Sequence, residues 1–196
     1  MIFSTFNIKQ YVNNHFGIIS SIRTVMKYMI FLQIMFTIAT SSVLDITSFE
    51  ADFNQIITDD KGKELSYSGH IIASKPQYAL WSYKKPVEKN VYITPRYATV
   101  IEPEIEQAII RSIASDFDFF NMIKKAKKMT NNIYIATLNE SKYTIIIEKS
   151  MIKSISYLDE FENKVNIIFN NQTKNRQISE DVFRPNIPVE YDIVRD

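Results

Sequence analysis

From residue 49 onward the chain alternates. Phe49, Ala51 and Phe53 hold every second position, with Glu50, Asp52 and Asn54 between them. Side chains two residues apart share one face of a strand, so this spacing predicts a strand with one apolar and one polar face. The same beat runs through Leu65, Tyr67, Gly69, Ile71 and Ala73, set between Ser66, Ser68 and His70. Asp59-Asp60-Lys61-Gly62 predicts the turn that joins the two. Pro76 and Pro86 bound a third strand through Tyr78-Ala79-Leu80-Trp81-Ser82-Tyr83, because proline cannot donate to a ladder. Asn90 to Thr94 predicts a fourth and Tyr97 to Ile101 a fifth, with the reversal at Pro95-Arg96.

The period then changes. Ile105, Ile109, Ile110 and Ile113 fall on one side of a helix drawn over 104–113, with Pro103 near its start. A second helix is expected from a cap at Ser115-Asp116 to about Lys128, with Phe119, Met122, Ile123 and Ala126 as its stripe. Lys124, Lys125, Lys127 and Lys128 gather at its end, where the helix dipole favours cations. A docking patch for an acidic partner or a membrane surface is the sharper reading of the same lysines. Strands resume over Ile133 to Leu138 and, after a turn at Asn139-Glu140-Ser141-Lys142, over Tyr143 to Glu148. Met151 to Leu158 and Lys164 to Phe169 follow, and the stretch from Phe183 to Pro188 is expected to be extended. Eight to ten strands and two or three short helices make a mainly β (α+β) fold. A long antiparallel sheet this rich in aromatics has to curl over something.

The front of the chain is different. Residues 28–39 are a short apolar run behind Arg23 and Lys27, and Ala39, Thr40, Ser41 and Ser42 follow it. A positive lead, a short apolar stretch and small residues at its exit describe a secretory signal, with the cut expected between Ser41 and Ser42. The run falls short of the about 20 residues a membrane span needs, which disfavours an uncleaved anchor. Met26-Lys27 is a more ordinary start for such a signal than Met1. Residues 1–41 are therefore expected to be an N-terminal extension and signal peptide, and residues 42–196 one exported domain.

Composition narrows the chemistry. The formal charge is +1, but Lys9, Arg23 and Lys27 stand in the first 41 residues, which contain no acid. The rest is slightly acidic and offers no footprint for nucleic acid. Cysteine is absent, which excludes disulfides, thiolate metal sites, a cysteine nucleophile and lipid attachment to an N-terminal cysteine. Three glycines cannot build a phosphate-cradling loop. His70 is the one histidine after the signal and stands on the polar beat of its strand, without partners for a triad or metal site. No serine sits in a Gly-x-Ser-x-Gly elbow. Asp59-Asp60 and Asp159-Glu160 read as solvated turns; a hydrolase using paired carboxylates is the weak alternative. No catalytic residue, metal or cofactor is expected. Trp81 and the tyrosines at 67, 78, 83, 92, 97, 134, 143 and 157 suit a packed core and a cavity wall equally well.

One ordered set of residues tips that balance. Phe49, Phe53 and Gln55 open a strand, Gly69 lies on the next, Lys75-Pro76 precedes an aromatic strand holding Trp81, and Glu106-Gln107 follows downstream. Phe183, Ile187-Pro188 and Tyr191-Asp192 close the chain. Their order resembles the LolA family of periplasmic outer-membrane lipoprotein carriers. The resemblance implies a curved, incompletely closed antiparallel β-barrel with short lid helices. It implies a monomeric carrier that takes acylated lipoproteins from an inner-membrane ABC-type release complex and delivers them to an outer-membrane acceptor. Phe53, Tyr67, Ile71, Trp81, Tyr83, Ile145, Ile147, Val165 and Ile167 would be wall residues, and Ile105, Ile109, Phe119 and Ile123 lid undersides. The family's lid-latching arginine is here Lys75, which keeps the charge but not the planar fork of donors. The family's Asp-Gly turn is replaced by Thr94-Pro95-Arg96. The alternative is a periplasmic acyl-chain-binding sensor or adaptor.

Overall fold

The computed structural model describes residues 44–113, 119–138 and 140–195; the expected signal, the Ser115-Asp116 cap and Asn139 lie outside them. Strands β1 (Ser48–Thr58), β2 (Glu64–Ser74), β3 (Tyr78–Lys85), β4 (Lys89–Ile93), β5 (Tyr97–Glu102) and β6 (Gln107–Ser112) form an antiparallel meander. Helix α1 (Phe119–Lys125) leads to β7 (Lys127–Lys128), β8 (Ile133–Leu138), β9 (Ser141–Glu148), β10 (Met151–Leu158) and β11 (Lys164–Lys174). β11 pairs with β1, and β12 (Asp192–Arg195) adds in parallel to β6. The resulting order is β12-β6-β5-β4-β3-β2-β1-β11-β10-β9-β8-β7. The end strands β12 and β7 do not pair with one another, so the curved sheet is an open half-barrel.

Register sets the faces, because directly paired residues share one. Ala51 pairs with Ile71, Ile71 with Trp81 and Trp81 with Val91. On the other side Phe53 pairs with Phe169, and Ile155 with both Ile145 and Ile167. These alternating positions form one continuous inner face, and Phe49, Phe53, Ile71, Ile145 and Phe169 are buried there. Their partners on the even beat face outward. His70 Nδ1 lies 2.8 Å from Asp52 Oδ1, its Nε2 3.3 Å from Glu50 Oε1, and Asn171 Nδ2 donates to Asp52 Oδ2 at 2.8 Å. Hydrogen bonds from Asn171 and then His70 hold the Asp52 carboxyl below its ordinary value. His70 thus ties neighbouring strands together on the outer face.

Two hairpins turn by one device. The Asp59 carboxylate accepts from the backbone N–H of Lys61 and Lys63, and Asp159 accepts from Phe161 and Asn163. Short aspartate side chains mimic a backbone turn in this way. At residues 94–97 the side chain does the work that a glycine turn does elsewhere: Thr94 Oγ1 donates to the Tyr97 carbonyl and accepts from the Tyr97 N–H, both at 3.1 Å.

The helix expected over 104–113 does not form. Pro103–Ile105 is a single 3₁₀ turn, and Glu106 ends it at φ 51°. The chain then enters β6, where Ile109 pairs with Val100 on one side and Val194 on the other. Ile105 is 63% exposed and Ile109 is a strand residue, so neither is the underside of a lid helix. The apolar spacing suited either period, and strand neighbours on both edges decided it. The second expected helix is shorter than its stripe suggested, because Lys127 and Lys128 pair with Ile135 and Tyr134 instead. Between β11 and β12 the 3₁₀ turn Glu180–Phe183 pins the chain to β3, with the Phe183 ring stacked on Tyr78 at 5.4 Å.

Candidate functional site: a lidded apolar cavity

Helix α1 lies over the inner face against β8. Three of its residues, Phe120, Met122 and Ile123, are buried, and the Phe119 ring sits 5.6 Å from Phe49. The seven described residues are too few to be stable as a helix alone, so these contacts hold them in place. They do not fill the space beneath. A cavity of about 230 Å³ lies between the helix and the sheet.

Its walls come from both halves of the sheet. β3 and β4 contribute Ala79, Trp81, Tyr83, Val91 and Ile93; β8 to β11 contribute Leu138, Tyr143, Ile155, Tyr157 and Ile167. Phe119, Phe120 and Met122 form the roof. Trp81 meets Phe53 edge-on at 5.1 Å, and Tyr83 meets the same ring at 5.1 Å and Tyr67 at 5.8 Å. Edge-to-face packing of this kind holds aromatic rings at fixed angles, so the wall keeps its shape.

Few polar groups interrupt this lining. The Tyr83 hydroxyl donates to Gln55 Oε1 at 3.0 Å, and the Lys89 ammonium stands 4.8 Å from the Tyr83 ring centre. Burial, with Tyr157 and Tyr67 nearby, pushes the Tyr83 hydroxyl up to about 12. Burial, with Tyr143 and Asp159 nearby, does the same to Tyr157, also to about 12. Both hydroxyls therefore stay neutral donors throughout the physiological range. Among the described residues no cluster of His, Asp and Glu is placed to hold a metal.

Of the expected wall residues, Trp81, Tyr83 and Ile167 line the cavity. Phe53, Ile71, Ile145, Ile147 and Val165 are buried in the layer that supports it, and Tyr67 packs behind Tyr83. Phe119 lines the roof and Ile123 anchors the helix. Lys75 stands exposed between β2 and β3; its backbone N–H donates to Thr47, and its ammonium has no partner among the described residues. Gln55, Val91, Ile93 and Ile155 belong to the lining although their sequence positions alone did not single them out as walls; Tyr143 and Tyr157, which suited core and wall equally, line it too. The alternation on β4, β9 and β10 was the available signal, read together with the strand order.

The chain is similar to known proteins over most of its length. Residues 45–118 match the family described as Outer membrane lipoprotein carrier protein LolA. An outer-membrane lipoprotein carrier protein of Campylobacter jejuni is 42% identical over 152 residues, covering 78% of this chain and 89% of the relative. One from Wolinella succinogenes is 34% identical over 159 residues, covering 81% and 92%. A crystal structure of a LolA superfamily protein from Nitrosomonas europaea overlays with a TM-score of 0.49 at 10% identity, covering 72% of this chain and 91% of that one. With 42% identity across most of both chains, this protein belongs to the LolA family of outer-membrane lipoprotein carriers.

Proposed function

We propose that the domain over residues 42–196 works in the periplasm, after removal of residues 1–41 on export, as a monomeric shuttle for acylated lipoproteins. It receives them from an ABC-type release complex in the inner membrane and passes them to an outer-membrane acceptor. The observation that carries this reading is the roofed apolar cavity between α1 and the inner face.

The energetics require such a shelter. Three acyl chains of about fifteen carbons, at about 0.8 kcal/mol per methylene, place roughly 36 kcal/mol of apolar surface in water if left bare. The cavity as it stands is smaller than the about 300–1,000 Å³ of ordinary small-molecule sites, so acyl chains need more room than it gives. Uptake therefore requires α1 to swing off the sheet. Opening exposes Trp81, Tyr83 and the underside of the helix, and cargo replaces the contacts that are lost. Reclosure restores Phe119 on Phe49 and favours release, which keeps binding reversible. In this reading apolar contacts of α1, rather than Lys75, hold the closed state. The chain contains no phosphate-binding loop, so the energy for loading comes from the release complex.

The test is a release assay. Inner-membrane vesicles holding the cognate complex and a newly acylated lipoprotein are supplied with ATP and the purified protein. A soluble one-to-one complex is the expected product. Lipoprotein that stays in the membrane at every protein concentration contradicts the proposal.

A further inference from the structure

We propose that Gln55, positioned by Tyr83, reads the carbonyl group through which an acyl chain is joined to its cargo. The proposal rests on the carrier function and names the part of the ligand that this site recognises. Gln55 is 8% exposed, stands on the inner face of β1 and lines the cavity. Its carbonyl oxygen is taken by the Tyr83 hydroxyl at 3.0 Å. Its amide nitrogen has no hydrogen-bond partner among the described residues. Two N–H donors are thus presented to a mostly apolar space, whose other polar groups are Gln77 and tyrosine hydroxyls.

A side chain chosen only for packing would not look like this. Once acyl chains displace water from the cavity, a donor without an acceptor is destabilising, and methionine or leucine fills the same volume without that cost. An ester or amide carbonyl supplies the missing acceptor, and bare hydrocarbon does not. The supporting groups keep the amide in register. The Tyr83 ring is held by Phe53 and Tyr67 on its edges and by the Lys89 ammonium at 4.8 Å, so its hydroxyl fixes which way the Gln55 amide faces. Gln55 also stands toward the β1–β2 turn, whereas Phe49 and Phe119 mark the other end of β1. A chain held by its carbonyl at Gln55 runs along Trp81 toward Phe119.

The experiment compares two probes on the full chain: a synthetic lipopeptide with two ester-linked chains and one amide-linked chain, and its counterpart with ether and alkylamine links of equal length. The wild-type protein is expected to bind the carbonyl-bearing probe about tenfold more tightly. Gln55→Met should bind both probes at the level of the ether counterpart. Tyr83→Phe, which keeps the ring but frees the amide to rotate, should show a reduced preference and provides the test if Gln55→Met does not fold. Gln55→Met with the preference intact, or wild type without one, overturns the proposal while leaving the carrier function standing. Binding of neither probe overturns both. A diacyl phosphatidylglycerol that binds more tightly than the lipopeptide, with the same dependence on Gln55, assigns the carbonyl site to membrane lipid and overturns its assignment to lipoproteins.

Discussion

Trp81→Glu is expected to lower lipoprotein affinity by about 100-fold or more while the β-sheet remains folded. Trp81 stands mid-strand on β3, packed against Phe53 and Phe169 and facing the cavity. In the empty protein a carboxylate there keeps some water through the partly open site. An entering acyl chain strips that water away, and an unpaired charge next to hydrocarbon costs several kcal/mol. About 3 kcal/mol of that is enough for the expected loss. Trp81→Phe keeps an apolar ring and should bind within about tenfold of wild type by the same scale. Far-ultraviolet circular dichroism establishes that both variants fold. Trp81→Glu binding within a few-fold of wild type would mean that cargo does not touch this wall.

Gly69→Ala should be the most damaging small substitution for stability, at about 3 kcal/mol, the upper end for overpacking. A methyl group built at Gly69 lands on the Ser82 carbonyl oxygen and 2.8 Å from the Phe53 ring. Side chains can rotate away, but the Ser82 carbonyl belongs to the β3 backbone, and the register between β2 and β3 already shifts at Ser68/Gly69. Two central strands would have to move apart. Urea denaturation reads the effect directly. Shrinking the ring as well, with Phe53→Leu, should not restore stability, since the backbone clash persists. A loss below about 1 kcal/mol would show that the close approach of these strands is not needed.

These two positions also show what the sequence revealed and what it hid. Alternation at Phe49, Ala51 and Phe53, and again at Tyr67, Gly69 and Ile71, was enough to assign strands and faces, and register in the sheet matches it. The resemblance placed Gly69 in a pattern but offered no reason for it; the reason is a backbone carbonyl on another strand. The helix drawn over 104–113 failed for a related cause. Ile105, Ile109 and Ile110 fit a helical stripe locally, but β6 is fixed by β5 and by β12, which lies some eighty residues further on. No window along the chain contains that partner. Gln55 was visible as part of a motif, whereas its pairing with Tyr83 required β1 and β3 to be set across β2. The cavity's far wall, with Tyr143, Ile155 and Tyr157, likewise depends on β11 returning to β1, a contact between residues more than a hundred positions apart. Local periodicity carried the elements; long-range pairing carried the site.

The central claim is that acyl chains enter the space between α1 and the inner face, and the chain contains its own reporter for it. Trp81 is the single tryptophan and lines that space. Tryptophan emission should be followed while a lipopeptide with brominated acyl chains is added, with binding measured independently by the polarisation of a dye on the peptide. Bromine quenches only at close contact, so strong quenching that saturates with binding is the predicted result. Saturated binding with undiminished Trp81 emission would place the acyl chains elsewhere and contradict the account.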